Sequence, residues 1–284
     1  MTAEIINGKE LSTKLKASMK IEIETLKRKG IVPHLTVVLV GDNLASRSYV
    51  SGKEKASQEI GMSSEVIELP TTISETELLA LIQQLNDKPS VHGILVQLPL
   101  PPHIKEQHII EAIHPSKDVD GFHPLSIGRM ITGQDTFISC TPYGIMEMLR
   151  SKNISIEGKH AVVIGRSNIV GKPIGQLLLN ENATVTYCHS KTVDLKAYTT
   201  QADILIVATG VPQMINADYI KKGAVVIDVG INRNEEGKLV GDVDFESVKE
   251  KAAFITPVPR GVGPMTITML LKNTLKAAKG LAGN

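Results

Sequence analysis

The run His160-Ala-Val-Val-Ile-Gly-Arg-Ser-Asn-Ile-Val-Gly-Lys-Pro-Ile-Gly175 constrains the fold more than any other part of the chain, because an apolar stretch passes through a glycine turn straight into a helix-like segment. Ala161 to Ile164 are continuous and largely β-branched, as a parallel strand covered on both faces requires. Gly165 and Gly171 lack the Cβ atoms that would block a ligand, and Pro173 suits the first turn of a helix. Unpaired N–H groups and the positive dipole end at such a helix start attract anions, so a nucleotide phosphate is expected there. The spacing departs from G-x-G-x-x-G, and strand-glycine-helix units also occur for purely structural reasons.

The 284 residues, 42% of them hydrophobic, suffice for one large core or two modest ones, and two domains are expected. Lys and Arg number 31 against 30 Asp and Glu, so the formal charge of +1 gives no global attraction to nucleic acid or an anionic membrane. With no Trp and 3% aromatics, base-stacking platforms are not expected either. The first ten residues lack a basic start followed by an apolar stretch, and no apolar run approaches the roughly 18 residues of a spanning helix. A cytoplasmic protein is therefore expected. Cys140 and Cys188 are too few for a disulfide framework and read as buried, reduced thiols.

Apolar runs recur at His34–Val40, Val66–Leu69, Val91–Leu98, Ala161–Ile164, Thr184–Cys188, Ile204–Ala208 and Val225–Val229, with helix-period segments between most of them. The alternation predicts an α/β fold with parallel sheets and right-handed crossovers. Helices are expected over Ser12–Lys29, Ala45–Ile60 and Thr266–Lys279. The Pro- and Gly-rich passage Pro115–Pro142 marks a hinge or domain boundary between the first three runs and the Gly165 unit.

The second set reads as a Rossmann-like half. Its second strand ends at Tyr187-Cys-His-Ser190-Lys191, where an NAD site usually offers a carboxylate to the ribose hydroxyls, and none is present. Ser190 can donate to a 2′-phosphate and Arg166 can supply charge, which favours NADP; Arg166 also reads as an ordinary solvated turn residue. Thr209-Gly210 and Asp228-Val-Gly-Ile231 end later strands on the edge where such sheets bind ligands, or are ordinary turns.

In the first set, Tyr49 and Lys53 are four apart and share one helical face. A solvated lysine is the plain alternative. Y-x-x-x-K also occurs in short-chain dehydrogenases, but there it follows the dinucleotide loop, and here it precedes Gly165. Gln97 ends an apolar run before Pro99, Pro101 and Pro102, which fix the exit path. Asp120 can accept from an amino-heterocycle, and Asp118 can cap its turn. His103, His108 and His114 lack the spacing and partners of a metal site, and no metal is expected.

Tyr49-x-x-x-Lys53, Val96-Gln-Leu-Pro-Leu-Pro101, Asp118-Val-Asp-Gly-Phe122, Cys140-Thr-Pro142, the Gly165–Pro173 loop, Asp228-Val-Gly-Ile-Asn232 and Pro257-Val-Pro-Arg-Gly-Val-Gly-Pro-Met-Thr266 occur in one order over nearly the whole chain. Together they closely resemble the bifunctional methylenetetrahydrofolate dehydrogenase/methenyltetrahydrofolate cyclohydrolase family. The resemblance implies NADP-linked oxidation of 5,10-methylenetetrahydrofolate to the methenyl cation and its hydrolysis to 10-formyltetrahydrofolate, in one cleft. Lys53 is then the central catalytic residue, Gln97 its orienting partner, Tyr49 the ring along the folate and Asp120 the reader of the pterin's amino edge. A lysine serves proton transfer near neutrality only where burial or a neighbouring cation lowers its pKa. Pro259 and Gly261 join the substrate set. Gly165, Arg166, Ser167, Val170, Gly171, Pro173, Ser190, Thr209, Gly210 and Ile231 form the cofactor set.

The expected division is a folate-binding catalytic domain over 1–138, with the helix of 266–284 packing back onto it, and an NADP-binding domain over 139–265. A homodimer is expected by family analogy. Alternatives are a dehydrogenase that has lost the cyclohydrolase step, or a non-catalytic folate or NADP binder. One departure stands out: Arg260 replaces a glycine common in the family. If its φ is positive it is strained by about 1–2 kcal/mol; a solvent-facing side chain is expected.

Overall fold

The structure, a computed structural model, describes residues 2–281. In chain order its elements are β1 (Glu4–Ile5), α1 (Gly8–Arg28), β2 (His34–Val40), α2 (Leu44–Glu59), β3 (Ser63–Leu69), α3 (Glu75–Asp87), β4 (Gly93–Val96), α4 (Glu106–Ala112), α5 (Pro124–Ile131) and α6 (Cys140–Ser151). There follow β5 (His160–Ile164), α7 (Gly171–Asn180), β6 (Thr184–Cys188), α8 (Leu195–Thr199), β7 (Ile204–Val207), β8 (Val225–Asp228), β9 (Asn232–Arg233), β10 (Leu239–Val240), α9 (Phe245–Val248), β11 (Phe254–Ile255) and α10 (Val262–Leu281).

The chain folds into two compact units. One takes the chain up to Thr13 together with Ser139–Thr266; the other takes Lys14–Ile138 together with the chain from Ile267. The first thirteen residues thus leave the domain expected to hold 1–138. The reason is β1, which pairs in parallel with β11 through Glu4–Phe254 and Ile5–Ile255. Of the expected 266–284 segment, residues 282–284 lie outside the described residues.

The first unit holds a six-stranded sheet in the order β1-β11-β8-β7-β5-β6, with every neighbouring pair parallel. Ala161–Ile164, Ile204–Val207 and Val225–Asp228 are buried throughout, so the apolar runs read from sequence are strands covered on both faces. Each fully buried Ile, Leu or Val contributes about 1.5–3 kcal/mol through transfer alone. The chain leaves β5 for β6 on one side and returns to β7 on the other. That reversal is the switch point, where the C-terminal strand ends open a crevice for ligands. β9 and β10 form an antiparallel pair beyond β8, too short to show a sequence period.

The second unit holds the parallel sheet β3-β2-β4, packed against α3 and α4 through Val38, Leu78, Ile82, Ile94 and Ile109. A capping box starts α3: Ser74 Oγ accepts from the Glu77 N–H, and the Glu77 carboxylate accepts from the Ser74 N–H. Buried Lys117 closes its far end, Nζ donating to the carbonyls of Leu85, Asn86 and Lys88 at 3.0, 2.7 and 2.8 Å. Asn273 on α10 donates to the carbonyl of Val119 at 2.8 Å. The segment carrying Asp118 and Asp120 is therefore pinned from two sides. The expected hinge passage itself contains a 3₁₀ turn, Pro115–Lys117, and α5.

Candidate functional site

In the second unit, α2 is capped by Asn43, whose side chain accepts from the Ser46 N–H at 3.1 Å, and presents Tyr49 and Lys53 one turn apart. β4 stops at Val96, and the Gln97 N–H still donates to Val38 at 2.8 Å, extending the ladder by one rung. The Gln97 side chain is thereby held beside α2. Lys53 Nζ donates to Gln97 Oε1 at 2.9 Å, while Gln97 Nε2 donates to the Leu98 carbonyl at 2.7 Å. The second bond settles which way the amide points, leaving its oxygen toward the lysine. Lys53 is half-buried and not the solvated surface lysine that spacing alone allowed; Tyr49 remains 43% exposed.

Asp118 and Asp120 separate into different jobs. Asp118 is buried and accepts from the N–H groups of Phe122 and His123 and from Ser126 Oγ at 3.2, 2.9 and 2.7 Å, the turn-capping role open to it from sequence. Burial pushes its carboxyl up to about 6 against those bonds. Asp120 is half-buried and lines a small cavity with Ile94, Val96, Leu98, Ile109 and Phe122. Lys53 with Gln97, and Asp120 with Leu98, thus gather around the end of β4. His103, His108 and His114 engage the Ile73 carbonyl, Glu75 and Ser116 respectively.

In the first unit, Gly165 follows β5 at φ +135 and Thr209–Gly210 follow β7, on the two sides of the switch point. The glycines answer to the protein's own backbone. A Cβ on Gly165 would stand 2.4 Å from the Ala208 oxygen, and one on Gly171 would stand 2.3 Å from the Gly165 oxygen. The anion donors also differ from expectation. The N–H groups of Val170 and Gly171 donate to Ser167 Oγ at 3.2 Å each, and that of Lys172 to the Ser167 carbonyl, so the start of α7 is already capped. Among the described residues, the amides of Arg166, Ser167, Asn168 and Ile169 have no hydrogen-bond partner, and they are the donors left for a phosphate. Pro173 is buried in the first turn of α7.

Arg166 and Ser190 are exposed, and the guanidinium of Arg166 makes no bond among the described residues. A loop with free amides, a Cβ-free turn, an unpaired arginine and a serine in place of a carboxylate fits a dinucleotide carrying a 2′-phosphate. Ile231 is a 48% exposed apolar side chain at the end of β8. The amides of Thr209 and Gly210 are not available to a ligand, because both donate to Asp242 Oδ2, at 2.6 and 2.9 Å. Asp242 escaped the sequence reading, since a lone acid after a two-residue strand carries no period or spacing to mark it.

The Pro257–Gly261 loop follows β11 on the same strand-end edge. Val258–Pro259 is cis, Arg260 has φ +82 and an exposed side chain, and the Arg260 carbonyl accepts from the Lys9 N–H at 3.1 Å. A Cβ on buried Gly261 would stand 2.3 Å from the Pro257 oxygen.

Comparison with known proteins follows the same division. The sequence profile of the tetrahydrofolate dehydrogenase/cyclohydrolase catalytic domain matches residues 6–120, and that of its NAD(P)-binding domain matches residues 139–282. The chain belongs to the tetrahydrofolate dehydrogenase/cyclohydrolase family. Within that family it is 70% identical over 279 residues to the bifunctional protein FolD of Oceanobacillus iheyensis, covering 98% of each chain. The crystal structure of the bifunctional FolD methylenetetrahydrofolate dehydrogenase/cyclohydrolase from Campylobacter jejuni is 54% identical, with a TM-score of 0.97 over 98% of this chain and 99% of that one. The family member from Trypanosoma brucei, complexed with NADP cofactor and inhibitor, is 38% identical with a TM-score of 0.96 over 100% of both chains.

Proposed function

We propose that this family member oxidises 5,10-methylenetetrahydrofolate to the 5,10-methenyl cation with NADP and then hydrolyses that cation to 10-formyltetrahydrofolate. The observation that carries the reading is the 2.9 Å contact between Lys53 Nζ and Gln97 Oε1, in a chain that also has the phosphate loop after β5. When bound, NADP supplies the hydride acceptor. Arg166, Ser190 and the free amides of the loop hold its phosphates, the backbone of Gly165, Ser167, Val170, Gly171 and Pro173 shapes that loop, and Thr209, Gly210 and Ile231 line the other half.

On the folate side Asp120 accepts from the pterin's amino edge, Tyr49 stacks along the ring system, and Pro259 and Gly261 complete the substrate set. Loss of hydride leaves the one-carbon bridge cationic. Water adds to that carbon, Lys53 takes the proton that water releases, and Gln97 holds the amine in line without adding charge. Cleavage of the carbon–N5 bond returns a proton to nitrogen and leaves the formyl group on N10, so one proton is released per turnover.

The folate-binding part comprises residues 1–138 with the returning C-terminal helix, less the β1 segment, and the NADP-binding part 139–265. A cytoplasmic homodimer is part of the same reading. Cys140 and Cys188, both buried and neither in a disulfide among the described residues, support a reducing compartment, and β6, last in the sheet order, offers an edge for a second copy. No helix among the described residues is long and apolar enough to cross a membrane.

Purified protein given methylenetetrahydrofolate and each nicotinamide cofactor, followed for reduced cofactor and for decay of the methenyl cation, tests the reading. Lys53→Ala should slow hydrolysis by at least an order of magnitude, and kcat/KM should be far lower with NAD than with NADP. Comparable values with both cofactors would refute the 2′-phosphate assignment. Accumulation of the methenyl cation by the unmutated chain would favour a dehydrogenase without cyclohydrolase; the Lys53–Gln97 contact speaks against it.

A further inference from the structure

Two carboxylates are buried at the strand-end edge of the larger sheet without a cation beside them. Asp228 ends β8 at 3% exposure, and Asp242, just after β10, is fully enclosed at 0%. Asp228 Oδ1 accepts from the N–H groups of Gly230 and Asp242, both at 2.9 Å, and its Oδ2 accepts from Val243 at 3.0 Å. Asp242 Oδ2 takes the Thr209 and Gly210 amides, and its Oδ1 takes the side-chain amide of Asn232 at 2.8 Å. Two glycines make room for this. A Cβ on Gly230 would stand 2.2 Å from Asp242 Oδ1, and one on Gly241 would stand 1.8 Å from Asp228 Oδ2. Among the described residues, no Lys, Arg or His pairs with either carboxylate.

Buried anions are costly unless paired, and amide donors offset only part of that cost. Asp228 ends β8, and Asp242, just after β10, holds the amides that follow β7, across the switch point from the phosphate loop, where the second half of a dinucleotide reaches. Oxidised nicotinamide carries a positive charge and the reduced ring does not. A charge that the protein leaves uncompensated is one that a cationic ligand can complete.

Resting on the cofactor reading above, we propose that Asp242, backed by Asp228, positions the Thr209–Gly210 and Ile231–Asn232 turns and favours the oxidised, cationic nicotinamide over the reduced one. Hydride transfer then removes the attraction and eases release of the reduced cofactor.

Calorimetric titration of the whole protein with NADP⁺ and with NADPH, without folate, provides the test. Asp242→Asn removes the charge and also turns one acceptor oxygen into a donor that faces an N–H group. It should weaken NADP⁺ about ten-fold more than NADPH. Equal weakening of both forms, as a merely structural role would give, overturns the proposal, and so does an unchanged ratio. Because Asp242→Asn can compromise folding, Asn232→Lys serves as the second variant. It brings an ammonium to Asp242 Oδ1, leaves both carboxylates in place and must shift the ratio in the same direction; a constant ratio refutes the electrostatic role. Unmutated protein that binds neither form fails the cofactor reading itself, whereas binding of both with a ratio insensitive to these variants fails this inference alone.

Discussion

Replacing Arg260 by glycine should stabilise the chain. At φ +82 the arginine's Cβ crowds its own backbone, a strain of about 1–2 kcal/mol for an L-residue. The surroundings impose that conformation. The Arg260 carbonyl is held by the Lys9 N–H at 3.1 Å, and the next carbonyl, that of Gly261, packs so closely that a Cβ on Gly8 would stand 1.9 Å from its oxygen. The guanidinium is exposed and bonds to nothing among the described residues, so its removal forfeits no contact. Glycine relieves the strain, but the freer unfolded chain takes back about 0.4–1 kcal/mol. The net gain is about 0.5–1 kcal/mol, or roughly 1–4 °C in Tm. Arg260→Ala is the decisive control, because alanine keeps the strained φ and should stay within about 0.5 kcal/mol of the parent. Urea titration and calorimetry of the ligand-free parent and both variants read the difference. A gain from alanine equal to that from glycine would assign the effect to charge, and a loss from glycine would mean that the guanidinium holds something in place; either refutes the backbone argument.

Gly165→Ala should be far more damaging. It places a Cβ 2.4 Å from the Ala208 oxygen at φ +135, so β5 and β7 must separate at their ends; a stability loss above about 2 kcal/mol and a collapse of NADP affinity are expected, and unchanged binding in calorimetry would contradict the geometry. Asp118 gives a pH dependence of defined sign. Burial holds its carboxyl at about 6 in the folded chain against 3.8 as the ordinary value, so the folded state retains a proton that the unfolded state has released. Its contribution is complete below about pH 4 and is lost as pH rises through about 6, a swing of about 3 kcal/mol. The stability gap between the parent and Asp118→Asn should therefore narrow by that amount between about pH 4 and 7 in urea titrations. A gap independent of pH would show that Asp118 is ionised throughout.

What could be read in advance follows from how many residues carry each signal. His34–Val40 and Thr184–Cys188 are strands with the expected bounds, and the helices of α1, α2 and α10 lie within a few residues of expectation, because each repeats an apolar period over several positions. β1 and β11 hold two residues each, a single strand period that never repeats, yet their pairing carries the chain up to Thr13 into the other unit. The site divides in the same way. Lys53, Gln97 and Asp120 were legible through the family resemblance, since each short run taken alone also admits a plain structural reading. Their convergence around β4 was not, since it depends on Gln97 continuing the ladder to Val38 and on Asn273 holding Val119 from a distant helix.

The polar bonds that shape the nucleotide edge cross between strand ends, and this is why the sequence does not reveal them. The Gly165 run suggested an anion site at a helix start, but which amides remain for an anion depends on Ser167 Oγ, a choice between N-cap and ligand contact that a sequence leaves open. The same holds after β7: the sequence leaves Thr209 and Gly210 as a ligand edge or an ordinary turn, and Asp242, 33 and 32 residues further on, takes both amides. Glycines were the faithful markers throughout, since Gly165, Gly171, Gly230 and Gly241 each stand where backbone or carboxylate comes within 2.5 Å of an absent Cβ. Such a glycine reports that something approaches closely. In this chain the approaching group is the protein itself, and the room left for the cofactor is defined by that packing.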